Sequence, residues 1–192
     1  VEQLLLERPE FETAQLRAFV ARRQERSLLV SFNGRCFDTH VLRSRLVLSR
    51  VLDEAAVHLA TAPHVDLYHL ARAVHGRRFG DARLQTLERH LLGITREGDI
   101  PGALIPDRYF GFLHTGDAAL LQPVLWHNLL DVVSMVGLFT DLVGALAADG
   151  ATAPTAVQVN LGRLWLRRRD ARRADRLFAA ALAMSGPQRL WG

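Results

Sequence analysis

The sequence predicts an α/β fold, a sheet with helices packed around it, followed by a C-terminal α-helical hairpin. Three observations predict it. Leu28-Leu29-Val30-Ser31-Phe32 is an apolar run of the kind buried on both faces of a parallel sheet. Strand-like and helical segments alternate through the first two-thirds of the chain. Two arginine-rich helical segments then follow a stretch rich in Gly, Ala and Thr.

The elements follow in order. Residues 1–6 read as a short strand, and residues 11–24 as a helix with Leu16, Phe19 and Val20 on one face. The strand over residues 28–32 stops at Asn33-Gly34, a strong turn pair. Asp38 opens the next helix, which runs to about Leu48 on a stripe of Val41, Leu42 and Leu46. Residues 64–68 form a second internal strand, and residues 84–92 a short helix stopped by Gly93. Two glycines and two prolines make residues 98–106 irregular. Helices follow over residues 105–113 and from Asp117 to about Ala148. Residues 149–156 serve as a linker, and residues 157–168 and 171–184 are helical on either side of Arg169-Asp170.

At 192 residues, the chain accommodates one core plus an appendage. Its 49% hydrophobic and 23% charged content belongs to a folded, soluble chain. No apolar run reads as a membrane span, and the start, Val-Glu-Gln-Leu-Leu-Leu, is not a signal peptide but resembles the middle of a longer protein. The single cysteine, Cys36, excludes an internal disulfide framework and fits a reducing cytoplasm. It reads as a small filler in a turn, since a thiolate nucleophile would need a histidine within hydrogen-bond reach.

All 24 basic residues are Arg, and their distribution is uneven. Residues 1–150 hold 16 Arg and 18 acids, for −2, whereas residues 151–192 hold 8 Arg and 2 acids, for +6. The high pI therefore does not make the larger part a polyanion binder. The basic tail is either a phosphate-attracting surface or the wet side of a helix pair.

The residues with the most chemical content are Asp38 and the pair His127 and Asp131. The pair stands at i and i+4, so both share one helical face. One reading is an ion pair or cap. The other is a carboxylate holding Mg²⁺ or Mn²⁺, with His127 orienting or deprotonating an attacking water. Asp38 has an N-cap reading and a metal-ligand reading. A paired-metal site needs several oxygen ligands, of which these two carboxylates supply only part. Asn33, Asp66 and Asn128 are candidates for supporting the ligands or touching substrate, and Phe32 and Phe37 read as core. Arg72, Arg77, Arg78 and Arg83 are surface or phosphate-backbone contacts. His69, His75, His90 and His114 lack metal-ligand spacing.

The segments Leu29 to Asp38, Thr86-Leu87-Glu88-Arg89, Asp99 to Pro106 with Tyr109-Phe110, and His127-Asn128-Leu129-Leu130-Asp131 occur in an informative order. Together they resemble the RNase H-like, three-prime-to-five-prime exonuclease superfamily with four acidic catalytic residues. They resemble more closely its YprB-type ribonuclease H-like domain family, in which a tetratricopeptide region can follow the nuclease-like domain. The resemblance implies an N-terminally incomplete, three-layer α/β/α domain over residues 1–148. Asp38 then matches the second catalytic motif, and His127 and Asp131 the third. The first motif, an Asp-x-Glu on an opening strand, has no match, so the chain by itself is expected to be a poor catalyst. Leu161, Gly162, Trp165, Ala174, Phe178, Ala181 and Pro187 fall near the positions of one tetratricopeptide unit over residues 157–185. The implied function is a divalent-metal-dependent, exonuclease-like domain hydrolysing phosphodiesters in DNA or RNA, with Asp38 and Asp131 on the metal. The alternative is a non-catalytic scaffold that binds nucleic acid or, through the helical repeat, a protein partner.

Overall fold

The computed structural model describes residues 1–22, 28–53, 56–57, 61–147 and 152–185. The described residues form helices and one two-stranded parallel sheet, and the chain divides into two compact units. The first comprises residues 1–66 and 96–135; the second comprises residues 67–95 and 136–192.

In the first unit, β1 (Leu29–Ser31) pairs with β2 (His64–Asp66), placing Leu29 opposite His64, Val30 opposite Val65 and Ser31 opposite Asp66. A parallel pair needs a crossover, and the helix α2 (Asp38–Leu48) lies in that crossover. Both strands are shorter than the apolar runs that predict them. Asn33 adopts the left-handed conformation, φ 61°, directly after β1, and Leu67 opens a helix directly after β2. Tyr68 is therefore helical.

The helix α1 (Glu12–Ala21) packs with α2 through an i, i+4 pair on each: Leu16 and Val20 meet Leu42 and Leu46, together with Val51 and Ala56. Full burial of Val20, Leu46 and Val51 contributes about 1.5–3 kcal/mol each. The expected faces were broader, since Phe19 and Val41 are exposed. The predicted extension of α1 through residues 23 and 24 lies outside the described residues. An ion pair of Glu12 with Arg45 bridges α1 and α2 at the surface.

Residues 1–6 do not form the expected strand. A strand is held by a backbone ladder, and among the described residues only β1 and β2 pair. Side chains anchor this segment instead. Gln3 donates to the carbonyl of Leu125 at 3.1 Å, Asn128 donates to Gln3 at 2.9 Å, and the Tyr109 hydroxyl donates to the carbonyl of Leu6 at 2.8 Å.

The second unit holds α3 (Leu67–His75), α4 (Leu84–Leu87), α7 (Thr155–Arg167) and α8 (Ala171–Ser185). The segment Glu88–Leu92 continues α4 as a π-helical turn, ended by Gly93 at φ 67°. Helices α7 and α8 bury Val157, Leu161, Ala174, Leu177 and Ala181. Gly162 lets them approach, because a Cβ there would stand 2.5 Å from the Phe178 ring. Residues 149–151 of the expected linker and Pro187 of the repeat pattern lie outside the described residues.

The helices α5 (Ile105–Thr115) and α6 (Gln122–Ala147) complete the chain. Asp117 caps the 3-10 turn before α6 by accepting from the Ala119 amide at 2.9 Å. The helical stretch Ala118–Ala147 is long and apolar enough to cross a bilayer by length and composition. This corrects the sequence expectation that no run reaches that length. Yet the ionisable groups at its middle are bonded to polar partners elsewhere in the first unit, as the site shows.

Candidate active site

Four side chains of the first unit form one polar network. Arg96 and Asp99 come from the irregular connection ahead of α5, while His127 and Asp131 come from one face of α6. The Asp99 carboxylate meets His127 Nδ1 at 2.8 Å and 3.0 Å. Arg96 donates from one terminal nitrogen to Asp99 Oδ2 at 3.0 Å and from the other to Asp131 Oδ1 at 2.6 Å. His127 Nε2 faces Asp131 Oδ2 at 3.5 Å, longer than a good hydrogen bond.

Burial grades across the network. The side chains of Arg96 and Asp99 are 4% and 7% exposed, that of His127 is 15% exposed, and that of Asp131 is 33% exposed. Asp131 is thus the carboxylate that reaches solvent, standing on a buried charged base. Burial favours the neutral form of Asp99, but hydrogen bonds from His127 and Arg96 outweigh it and hold the carboxyl below its ordinary range.

Asp38 stands on the first turn of α2 with an exposed side chain. The N-cap position belongs to Phe37, so Asp38 is not the cap that one sequence reading made it. Its setting is built by the turn before it. Gly34 is buried, and a Cβ at that position would lie 2.7 Å from the Ser31 side chain and 3.0 Å from Asp38 Oδ2. The Asp66 carboxylate accepts from the backbone amides of Asn33 at 2.8 Å and Arg35 at 3.0 Å. Asp66 therefore shapes the loop that delivers Asp38. The hydroxyl of Ser31 and His64 Nε2, 2.7 Å apart, tie the two strand ends together.

The other candidates have surroundings of their own. Asn128 is exposed and bonds to Gln3. Phe37 is 66% exposed rather than core, and Cys36 is exposed in the turn between β1 and α2. Arg72 lies over the Tyr68 ring, Arg78 lies over Phe79, and Arg83 faces Asp81. Asp99 and Arg96 were missed as site residues. Asp99 did lie in a segment that carried the resemblance, but no local periodicity links it to His127 across 28 positions.

The carboxylates of Asp38 and Asp131 are hard oxygen donors suited to Mg²⁺ or Mn²⁺. Asp131 Oδ2 is not closed off by its long contact with His127, so the donor chemistry fits part of a cation shell. No group of three or more His, Cys, Asp or Glu among the described residues is arranged to hold a metal.

The sequence matches the RNase_H_2 family of the RNase H superfamily over residues 1–143. It is 36% identical over 139 residues to the uncharacterised protein YprB of Bacillus subtilis (strain 168), covering 72% of this chain and 33% of that protein. The aligned part thus spans about a third of that relative's length. No solved structure matches the chain.

Proposed function

The chain belongs to the RNase H superfamily as a YprB-type RNase H-like domain, and from that premise we propose that it serves divalent-metal-dependent hydrolysis of phosphodiester bonds in DNA or RNA. The reading is exonuclease-like, with Asp38 and Asp131 as the metal-binding carboxylates. The observation that carries it is the graded network, in which a solvent-reaching Asp131 is held by Arg96 and flanked by His127.

A divalent ion bound there would polarise the phosphoryl oxygen and lower the pKa of a bound water. The residues of the chain supply the rest. Asp99 fixes the orientation of the His127 ring through Nδ1, which turns Nε2 towards Asp131 and the exposed side of the network. On this reading His127 orients or deprotonates a water from there. Asp66 and Gly34 hold the loop that presents Asp38. Phe37, exposed beside Asp38, offers an aromatic face on which a base can stack.

Two carboxylates are fewer than a paired-metal site needs. Full activity on this reading requires further oxygen ligands beyond these two. The test is cleavage of end-labelled DNA and RNA by this chain and by a longer protein containing it, with Mg²⁺, Mn²⁺ or chelator. The expected result is metal-dependent cleavage by the longer protein that Asp38→Asn or Asp131→Asn abolishes. Cleavage unaffected by both chelation and those substitutions rejects the proposal.

A second reading, a non-catalytic nucleic-acid-binding or protein-interaction scaffold, draws on the engagement of Asp131 by Arg96. It predicts retained nucleic-acid binding without cleavage and without a requirement for metal.

A further inference from the structure

We propose that Arg96 is a positioning residue that acts as the resident counter-cation of Asp131, so that a divalent ion must displace its guanidinium before both oxygens of that carboxylate can serve as ligands. The inference rests on Asp131 being a metal ligand and names what governs access to it.

The geometry is specific. Arg96 contacts Asp131 Oδ1 at 2.6 Å, a charge-assisted distance, while its other terminal nitrogen contacts Asp99 Oδ2 at 3.0 Å. The Arg96 side chain is 4% exposed, so its guanidinium faces these acids rather than open solvent. A guanidinium and a metal ion both neutralise a carboxylate through the same lone pairs, and each disfavours the other nearby. The two partners differ in rigidity. Asp131 projects from a 26-residue helix, whereas Arg96 belongs to an irregular connection that includes Gly98 at φ 67°. Displacement therefore moves the arginine rather than the acid. Holding Asp131 in place adds less to metal affinity than the competing positive charge removes, because α6 already positions that short side chain.

Asp99 completes the device. It pairs with both Arg96 and His127, so an arginine released from Asp131 retains an anionic partner. The arginine need not enter water unpaired, which would make displacement far costlier.

The test is Mn²⁺ binding to the 192-residue chain, followed by electron paramagnetic resonance of the free ion, with folding checked by circular dichroism. The expected result is that Arg96→Gln binds Mn²⁺ about 10-fold more tightly than the unsubstituted chain, on the scale by which outer partners tune metal sites. Arg96→Lys, which keeps the charge, should stay near the unsubstituted affinity. Adding Asp131→Asn to Arg96→Gln should remove the gain. Should Arg96→Gln fail to fold, the double variant Arg96→Gln/Asp99→Asn removes one charge of each sign and carries the same comparison. Unchanged or weaker binding in whichever of Arg96→Gln and Arg96→Gln/Asp99→Asn folds, with Asp131→Asn still weakening the unsubstituted chain, overturns the role of Arg96 and leaves Asp131 as a ligand. Mn²⁺ binding insensitive to Asp131→Asn in every background overturns both.

Discussion

His127 Nδ1 sits 2.8 Å and 3.0 Å from the two oxygens of Asp99, so an acid from an irregular connection sets the orientation of a histidine in the second turn of α6. The Asp99 side chain is only 7% exposed, and its carboxyl is held below the ordinary range although that desolvation opposes the shift. A depressed folded-state value means that its stabilisation is present above the unfolded-state value, near 3.9, and lost as pH falls through the folded-state value. Asp99→Asn should cost about 3 kcal/mol at neutral pH, the scale for breaking a buried pair. That difference from the unsubstituted chain, measured by urea unfolding, should shrink below about pH 4. A difference independent of pH would contradict the charge-based account.

Asp66 is predicted to matter through the loop it shapes. Asp66→Ala leaves the amides of Asn33 and Arg35 without their carboxylate acceptor. Each hydrogen bond to a charged group contributes about 1.5–3 kcal/mol, and water will recover part of that in the half-open turn. A net loss of about 2–3 kcal/mol in urea unfolding is expected. A loss below about 0.5 kcal/mol, the range of ordinary surface substitutions, would mean that the turn is set by Asn33-Gly34 alone.

In the second unit, Gly162→Ala should destabilise by about 1–3 kcal/mol because its Cβ would meet the Phe178 ring at 2.5 Å. Replacing Phe178 with Leu in the same chain should recover part of the loss by making room. If thermal unfolding shows the two substitutions to be additive, the close approach of α7 and α8 at this point is contradicted.

His75 gives a pH dependence of its own. It is 6% exposed, lies 3.6 Å from Asp141 and borders the Phe79 ring at 5.5 Å. Burial lowers its pKa; Asp141 opposes this shift and Arg78 adds to it. A histidine held neutral in the fold contributes stability that is present above the unfolded-state value, near 6.5, and lost as pH falls below it. The urea midpoint should drop between pH 7.5 and 5.5 by more in the unsubstituted chain than in His75→Gln. Equal drops would show that His75 is not the group responsible.

Local patterns made much of the fold legible and only half of the polar network. Asn33-Gly34 after an apolar run located the end of β1, and α2 occupies residues 38 to 48 as the pattern predicts. Gly93 stops its helix through left-handed backbone, a signal that lies in the residue type itself. The i, i+4 spacing of His127 and Asp131 was enough to make them neighbours. Arg96 and Asp99 were not legible because they join the network across 35 and 28 positions from a segment without periodicity. Residues 1–6 misled for a related reason. Their apolarity is that of a strand, but a strand exists only with a ladder partner, and here side-chain bonds to Gln3 and from Tyr109 hold the segment. Phe37 misled because apolarity alone does not bury a side chain in a short turn, and this one is 66% exposed.

The most direct test of the central claim is an anomalous-scattering map from crystals of the chain grown with Mn²⁺. The account predicts a manganese peak within bonding distance of both an Asp38 oxygen and Asp131 Oδ2, on the side of the network that His127 Nε2 faces. A map with manganese bound elsewhere, or with Asp38 and Asp131 ligating no common site, would contradict it.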